Sequence, residues 1–210
     1  MSALSTSAAG TASAVPLPEA TVPAKGEGRS TPWWGMVCLI MTESTIFAGL
    51  IGSYFFYRAA SKQWPPAGIE EPKLALTLIF SVVLWGSSIP MLVAERGIKR
   101  GNQRALRLGL LFAWLMGAAF VGYSMKDFSD LKFRWGENAY SSIFYTTVGL
   151  HTFHVFVGLV MSIVVQIKAW LGKFSKERHV TVQVYAMYWH FVDAIWVFVM
   201  PAFFLSPHIK

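Results

Sequence analysis

Five long apolar runs dominate this chain, and each is about as long as a helix that crosses a lipid bilayer. Such a helix needs roughly 20 apolar residues to cross a hydrocarbon core of about 30 Å. The predicted spans are residues 33–57, 74–94, 106–125, 139–168 and 180–205. Charged residues make up 14% of the chain, whereas a soluble globular domain contains about 25%. The sequence therefore predicts an all-α, polytopic membrane protein in which residues 32–210 form a bundle of five transmembrane helices.

The N-terminal segment has a different composition from the rest of the chain. Residues 1–31 are rich in Ser, Thr, Ala, Pro and Gly. They have neither the basic start nor the apolar core of a secretory signal. Because a segment with so little apolar surface has little to bury, we expect a flexible tail.

The distribution of basic residues predicts how the bundle lies in the membrane. Eleven Lys and Arg residues fall on the side of the N-terminus, and seven fall on the other side. Cytoplasmic loops carry the excess of Lys and Arg, so the N-terminus is expected in the cytoplasm and the C-terminus outside. The formal net charge of +7 is then explained by basic loops that orient the helices in the membrane, and nucleic acid is not an expected partner.

Two of the apolar runs contain a carboxylate near the middle of the membrane. Glu43 lies ten residues into the first run, a depth of about 15 Å at roughly 1.5 Å per residue. Asp193 lies about halfway along the last run. A charged group at such a depth costs roughly 2.5–3.5 kcal/mol, and it marks either a function or a buried polar contact. Glu43 is therefore a proton-handling or gating carboxyl, or an acid that is hydrogen bonded between helices.

Three histidines also lie within the apolar runs. His190 and Asp193 are three residues apart, so they share one helix face, and the same spacing relates His151 to His154. Imidazole and carboxylate groups suit several metal ions, and a b-type haem needs two histidines on facing helices. The alternatives are a proton path and a structural network in which histidine donates to an acid across the bundle, which we favour. No nucleophile–base pair or phosphate-binding loop indicates an independent enzyme, and no catalytic residue is predicted.

Small residues recur every fourth position in two of the runs, and such residues allow helices in lipid to approach closely. We expect both stripes to pack inside the bundle. They consist of Ser44, Ala48 and Gly52 in the first run, and Gly109, Ala113 and Gly117 in the third.

Several of these motifs together resemble those of a known family. The most specific is the Tyr-Trp-His-Phe-Val-Asp stretch at residues 188–193, which is followed by Trp196. The others are Thr-Glu-Ser at 42–44, the Trp-Pro-Pro-Ala-Gly-Ile loop at 64–69, and His-Thr-Phe-His-Val at 151–155 with Gly158. From residue 33 to the C-terminus the chain resembles subunit III of the haem–copper oxidases, the cytochrome c oxidase type.

The resemblance implies a five-helix bacterial form in the cytoplasmic membrane, without the two extra N-terminal helices of longer relatives. It also implies an accessory subunit of aerobic electron transport that has no cofactor of its own, with haem and copper in its partners. Such a subunit packs beside oxidase subunits I and II, supports proton uptake and the stability of subunit I, and can belong to a larger respiratory supercomplex. It binds phospholipid in a cleft between helix groups, near the carbodiimide-reactive glutamate that Glu43 matches.

Other functions are compatible with the same residues. The chain could be subunit III of a quinol oxidase or of a nitric oxide reductase complex. In a different class, it could be an autonomous proton or ion transporter that uses Glu43, His190 and Asp193. A small b-haem electron carrier is a third class. Each alternative makes a different prediction about cofactors and about the activity of the isolated chain.

Overall fold

A computed structural model describes residues 29–66, 69 and 73–208 of the chain. Its helices, numbered in chain order, are α1 Thr31–Ala60, α2 Leu74–Gly86, α3 Ser88–Lys99, α4 Gln103–Asp130, α5 Ala139–Trp170 and α6 Val180–Met200. A π-helical turn, Pro201–Leu205, and a 3-10 turn, Ser206–His208, follow α6. No β-strand occurs among the described residues. Residues 1–28 of the predicted tail lie outside them, as do Ala67 and Gly68 of the predicted loop.

The prediction of five transmembrane helices is confirmed. Within the described part of the chain, five helical segments are long and apolar enough to cross a membrane: α1, the pair α2–α3, α4, α5, and α6 with the turns that follow it. Several helices continue past the predicted spans, as α4 does to Asp130. Hydropathy marks the hydrocarbon thickness, whereas a helix ends where its backbone bonding ends. The sidedness of the termini stays a prediction.

Local signals explain where α4 and α5 begin. The side chain of Asn102 accepts a hydrogen bond from the backbone N–H of Ala105 at 3.1 Å. Asn138 does the same for Ser141 at 2.9 Å, and the Ser141 hydroxyl accepts from the Asn138 N–H at 3.1 Å. These reciprocal bonds satisfy donors that a helix start leaves unpaired.

The second span is interrupted, although its sequence is one apolar run. Helix α2 ends at Gly86, and α3 begins at Ser88. Pro90 has no N–H and therefore cannot bond to the carbonyl of Gly86 four residues earlier. The helical hydrogen bonding is therefore interrupted at Ser87, although Ser87 keeps helical backbone angles of φ −65° and ψ −21°. The hydroxyls of Ser87 and Ser88 contact α6 at this point.

Helix α6 lies at the centre of the bundle. It packs against α1, α3 and α5, while α4 packs against α3 and α5. Tyr185, Trp189, Val192 and Trp196 form a stripe along α6, and all four side chains are buried. This stripe therefore faces neighbouring helices.

The two stripes of small residues have different surroundings. In α4, a Cβ atom at Gly109 would lie 2.4 Å from the carbonyl oxygen of Pro90, and one at Gly117 would lie 2.5 Å from Cη2 of Trp189. This stripe packs inside the bundle, as expected. In α1, Gly49 and Gly52 have no neighbouring atom within 4 Å of such a position. The stripe of α1 therefore lines an open face, which differs from the expectation.

Candidate functional site

Glu43 and His154 meet between α1 and α5. The Nε2 atom of His154 lies 3.2 Å from Oε2 of Glu43. On the other side of the ring, Nδ1 lies 2.8 Å from the backbone carbonyl of Leu150. Because a carbonyl only accepts hydrogen bonds, Nδ1 carries a hydrogen, and Nε2 faces the carboxyl group.

This geometry brings an acid and a base face to face, with 3.2 Å between Nε2 of His154 and Oε2 of Glu43. Glu43 is 27% exposed at its side chain and His154 is 12% exposed, so the pair lies at the edge of the bundle.

A third helix contributes to the same contact. The hydroxyl of Tyr188 in α6 donates to the backbone carbonyl of His154 at 3.0 Å. The ring of Phe47 in α1 packs edge-on against the His154 imidazole, with 5.5 Å between the centroids. His154 is thus held by groups from α1 and α6 as well as by its own helix. The structure thus brings His154 and Glu43, both candidate residues, together across the bundle.

A second polar cluster joins the break between α2 and α3 to α6. The hydroxyl of Ser88 donates to Oδ2 of Asp193 and lies 3.0 Å from Nδ1 of His190. Since its single hydrogen goes to Asp193, this hydroxyl accepts from the Nδ1–H of His190. Asp193 is 6% exposed. Two buried atoms of the cluster, Nε2 of His190 and Oδ1 of Asp193, have no hydrogen-bond partner among the described residues.

Two indole–serine bonds extend this polar connection. The Nε1–H of Trp189 donates to the hydroxyl of Ser87 at 2.8 Å, and that of Trp196 donates to Ser81 at the same distance. Sequence reasoning missed Ser81, Ser87 and Ser88. The available signal was the pair Ser87–Ser88 inside an apolar run, because buried hydroxyls need hydrogen-bond partners within the bundle.

His151 has a different environment from His154. It is fully buried, and its ring stacks on Trp196 with 4.6 Å between centroids and 24° between planes. Phe47 and Phe120 approach it edge-on at 6.4 and 6.0 Å. Neither ring nitrogen has a hydrogen-bond partner in the described part of the chain. His151 is therefore a member of an aromatic cluster.

The candidate residues consequently form two polar clusters, and His151 belongs to neither of them. Glu43 with His154 is the first cluster, and His190 with Asp193 is the second. Within the residues that the structure describes, no group of three or more His, Cys, Asp and Glu side chains could hold a metal ion.

An apolar groove lies between α1 and α6, and we call it the α1–α6 groove. Its volume is about 920 Å³, and its walls include Phe47, Gly52 and Phe55 of α1 and Phe198 of α6. Ser44, which follows Glu43 in the chain, also lines it. The stripe of small residues on α1 widens this groove because it places no bulky side chain there.

The helical bundle and its buried polar contacts define a multi-pass membrane protein, and comparison with known proteins identifies its family. A family model for cytochrome c oxidase subunit III matches residues 28–206. Cytochrome c oxidase subunit 3 of Thermostichus vulcanus is 30% identical over 164 residues, which cover 78% of this chain and 81% of that protein. The Synechocystis sp. protein of the same name is 32% identical over 165 residues, covering 78% of this chain and 71% of that protein.

A more distant relative shows the same likeness. Cytochrome c oxidase subunit 3 of Locusta migratoria is 28% identical over 171 residues, which cover 79% of this chain and 65% of that protein. The chain belongs to the cytochrome c oxidase subunit III family. The family resemblance predicted from the motifs is thereby confirmed.

Proposed function

We propose that the chain is the accessory subunit III of a haem–copper terminal oxidase, in which partner subunits carry the haem and copper and reduce oxygen. The observation that carries this proposal is the family match over residues 28–206, which includes all five membrane-spanning segments. The relatives reported above are named for cytochrome c oxidase, and this favours that enzyme over a quinol oxidase or a nitric oxide reductase.

The proposal places the chain in a respiratory assembly. Its direct partners are oxidase subunits I and II, and a larger supercomplex is compatible with this role. The membrane is the bacterial cytoplasmic membrane, with the N-terminus in the cytoplasm. The excess of Lys and Arg on the side of the N-terminus supports this orientation.

We assign different roles to the two polar clusters. The pair Glu43–His154 holds an exchangeable proton at the edge of the bundle, close to the lipid, and helps to sustain proton uptake. The cluster around Ser88 fixes α6 against the break between α2 and α3. Glu43 has the direct functional effect, whereas His190 and Asp193 support the fold.

Bound phospholipid belongs to the same proposal, and the α1–α6 groove is its site. The lining of α1 runs from Ser44 to Phe55, which is about 16 Å of helix at roughly 1.5 Å per residue. That length is about half of a hydrocarbon core of roughly 30 Å, which corresponds to one leaflet. An acyl chain in this groove would lie beside Glu43.

Purification of the native complex tests the proposal. A tagged chain isolated from its own membrane is expected to bring down haem–copper subunits, with haem bands in the reduced-minus-oxidised spectrum. The chain on its own is expected to show no Soret band. A chain that purifies without such partners, or that keeps a Soret band when alone, would contradict an accessory role.

Transport by the isolated chain tests the alternative of another class. Proteoliposomes that contain only this chain are expected to show no proton flux above that of empty liposomes. An autonomous transporter would instead show a flux that Glu43→Gln abolishes.

A further inference from the structure

A second groove lies on a different face of the bundle, between α4 and α5. Its volume is about 450 Å³, and we call it the α4–α5 groove. Leu111 and Trp114 of α4 line one wall, and Ile163, Ile167 and Trp170 of α5 line the other. None of these residues lines the α1–α6 groove.

A fixed guanidinium group, that of Arg107, lies against Trp170, which lines this groove, and we call this end of the groove its mouth. The Nε–H of Arg107 donates to the backbone carbonyl of Ala169 at 3.2 Å. The guanidinium carbon also lies 5.0 Å from the centroid of the Trp170 ring, which is within the range of a cation–π contact. Two contacts therefore hold Arg107 against the end of α5.

Among the described residues, no hydrogen bond is made to the terminal nitrogens of Arg107, whose Nε–H is the donor to Ala169. Among the described residues, no carboxylate forms an ion pair with it. A guanidinium group offers paired N–H donors in a planar fork that matches the oxygens of a phosphate. Since its orientation is already fixed, little conformational entropy is lost when an anion binds.

The charge around the mouth favours an anion. Arg104 and Arg107 share one face of α4 with Leu111 and Trp114, because these positions recur at helical spacing. At this end of the bundle, ten of the described residues are Lys or Arg, against the two acids Glu95 and Glu177. Glu95 is paired with Lys99 at 2.5 Å. Basic pockets between transmembrane helices bind the headgroups of anionic lipids.

Along α4, the groove-lining residues Leu111 and Trp114 follow Arg107 by about one and two turns. From Arg107 to Trp114 the axis of α4 advances about 10 Å at roughly 1.5 Å per residue. The side chain of Trp114 lines the groove at this depth.

We propose that the α4–α5 groove binds one anionic phospholipid, with its phosphate on Arg107 and an acyl chain between Trp114 and Trp170. Bulk lipid would fill the groove without regard to headgroup charge, whereas this site selects an anionic headgroup. The proposal is independent of the lipid assigned above to the α1–α6 groove, which has no charged lining residue.

Photolabelling of the purified oxidase that contains the full chain tests this site. The probe is phosphatidylglycerol with a diazirine in its acyl chain, and phosphatidylcholine with the same chains is the zwitterionic control. We expect phosphatidylglycerol to label the segments 111–114 and 163–171 about tenfold more than phosphatidylcholine does. A tenfold preference corresponds to about 1.4 kcal/mol.

Three variants separate the site from general electrostatics. Arg107→Gln is expected to reduce phosphatidylglycerol labelling about tenfold, to the level of phosphatidylcholine. Arg100→Gln removes the same charge at the same end of the bundle but outside the groove, and it should change labelling less than about twofold. Ile163→Trp fills the groove and leaves Arg107 in place, so it should also abolish the labelling. This variant keeps the test decisive if Arg107→Gln prevents assembly.

Several results would overturn the proposal. Equal labelling by the two lipids would show that the headgroup is not recognised. An equal loss in Arg107→Gln and Arg100→Gln would reduce the effect to surface charge. Protection of the groove from both lipids in the oxidase would show that a partner subunit covers it.

Discussion

The Nε2 atom of His154 lies 3.2 Å from Oε2 of Glu43, and this contact joins the edge helix α1 to the core helix α5. The opposite ring nitrogen is bound to the carbonyl of Leu150, so Nε2 is the ring atom that faces the acid. We propose a structural and a proton-binding role for this contact, and a suitable substitution can separate the two roles.

Replacement of Glu43 by Gln is expected to separate them. The amide can still donate a hydrogen bond to Nε2 of His154, but it cannot release or take up a proton. In the assembled oxidase we expect Glu43→Gln and Glu43→Ala to behave alike, with normal assembly and initial electron transfer but faster loss of activity during turnover. The measurement is the half-life of oxygen consumption under continuous turnover.

A neighbouring residue provides the control for this experiment. Thr42→Ala removes a hydroxyl that bonds only within α1, to Leu39 and Cys38, and it should leave the half-life unchanged. If the half-life stays at the parent value in Glu43→Gln but falls in Glu43→Ala, the role of the residue is purely structural. Complete loss of initial turnover would contradict an accessory role for this chain.

Removal of the Ser88 hydroxyl is expected to weaken the bundle. Ser88→Ala leaves Oδ2 of Asp193 and Nδ1 of His190 without the partner that each has in the structure. A buried polar group left unpaired costs about 1–3 kcal/mol, and more if it is charged. In the purified complex, we expect the thermal midpoint for unfolding of this subunit to fall. We also expect the subunit to dissociate from the complex sooner in detergent.

Ser53→Ala is the matched control, because the Ser53 hydroxyl is exposed and bonds only to the carbonyl of Gly49 within its own helix. Its free energy of unfolding should change by no more than about 0.5 kcal/mol, as for ordinary surface substitutions, so its thermal midpoint should stay close to that of the parent protein. Equal midpoints for Ser88→Ala and Ser53→Ala would show that the Ser88 cluster does not hold α6 in place.

Two glycines of α4 are expected to respond oppositely to alanine. At Gly117 the new Cβ would lie 2.5 Å from Cη2 of Trp189, whose indole is already held by Ser87 at 2.8 Å. Overpacking of this kind costs about 1–3 kcal/mol. At Gly122 no atom lies within 4 Å, so alanine gains up to about 1 kcal/mol of helix propensity.

Thermal unfolding of the two purified variants, side by side, measures this difference. Gly117→Ala should lower the midpoint, and Gly122→Ala should raise it or leave it unchanged. Two variants that are equally stable would mean that Trp189 does not pack against Gly117 in the assembled protein.

Filling the α1–α6 groove is expected to displace bound lipid. Gly52 lines this groove, and no atom lies within 4 Å of the position of its missing Cβ. Gly52→Leu should therefore fold normally and reduce the phospholipid that co-purifies with the oxidase, measured by mass spectrometry of the extracted lipids. Gly35→Leu places the same side chain on α1 at a second open position outside the groove. If both variants retain as much lipid as the parent protein, the groove is not the lipid site.

The sequence predicted the helices better than their ends and their continuity. The break at Ser87 was not predicted, although Pro90 was visible, because a proline near the end of an apolar run can either kink a helix or be accommodated by its neighbours. The extension of α4 to Asp130 was not predicted, because polar residues at a helix end do not change the hydropathy of the span.

The candidate residues were predicted individually, but their partners were not. Helical spacing correctly places His190 and Asp193 on one face, and the structure adds Ser88 from another helix between them. The same spacing treats His151 and His154 alike, yet one is enclosed by aromatic rings and the other faces Glu43. Which helix lies opposite a given face depends on crossing angles that no local pattern encodes.

By itself the sequence determined that this chain is a five-helix membrane protein and which family it resembles, because hydropathy and contiguous motifs are local properties. Only the tertiary structure decided that the small-residue stripe of α4 is buried while that of α1 opens onto a groove. Both stripes have the same spacing, and the difference arises from the helices packed beside them. In the same way, only the packing of α1 against α5 brought Glu43 to His154, because a contact between an acid and a base depends on a distance between residues that are remote in the chain.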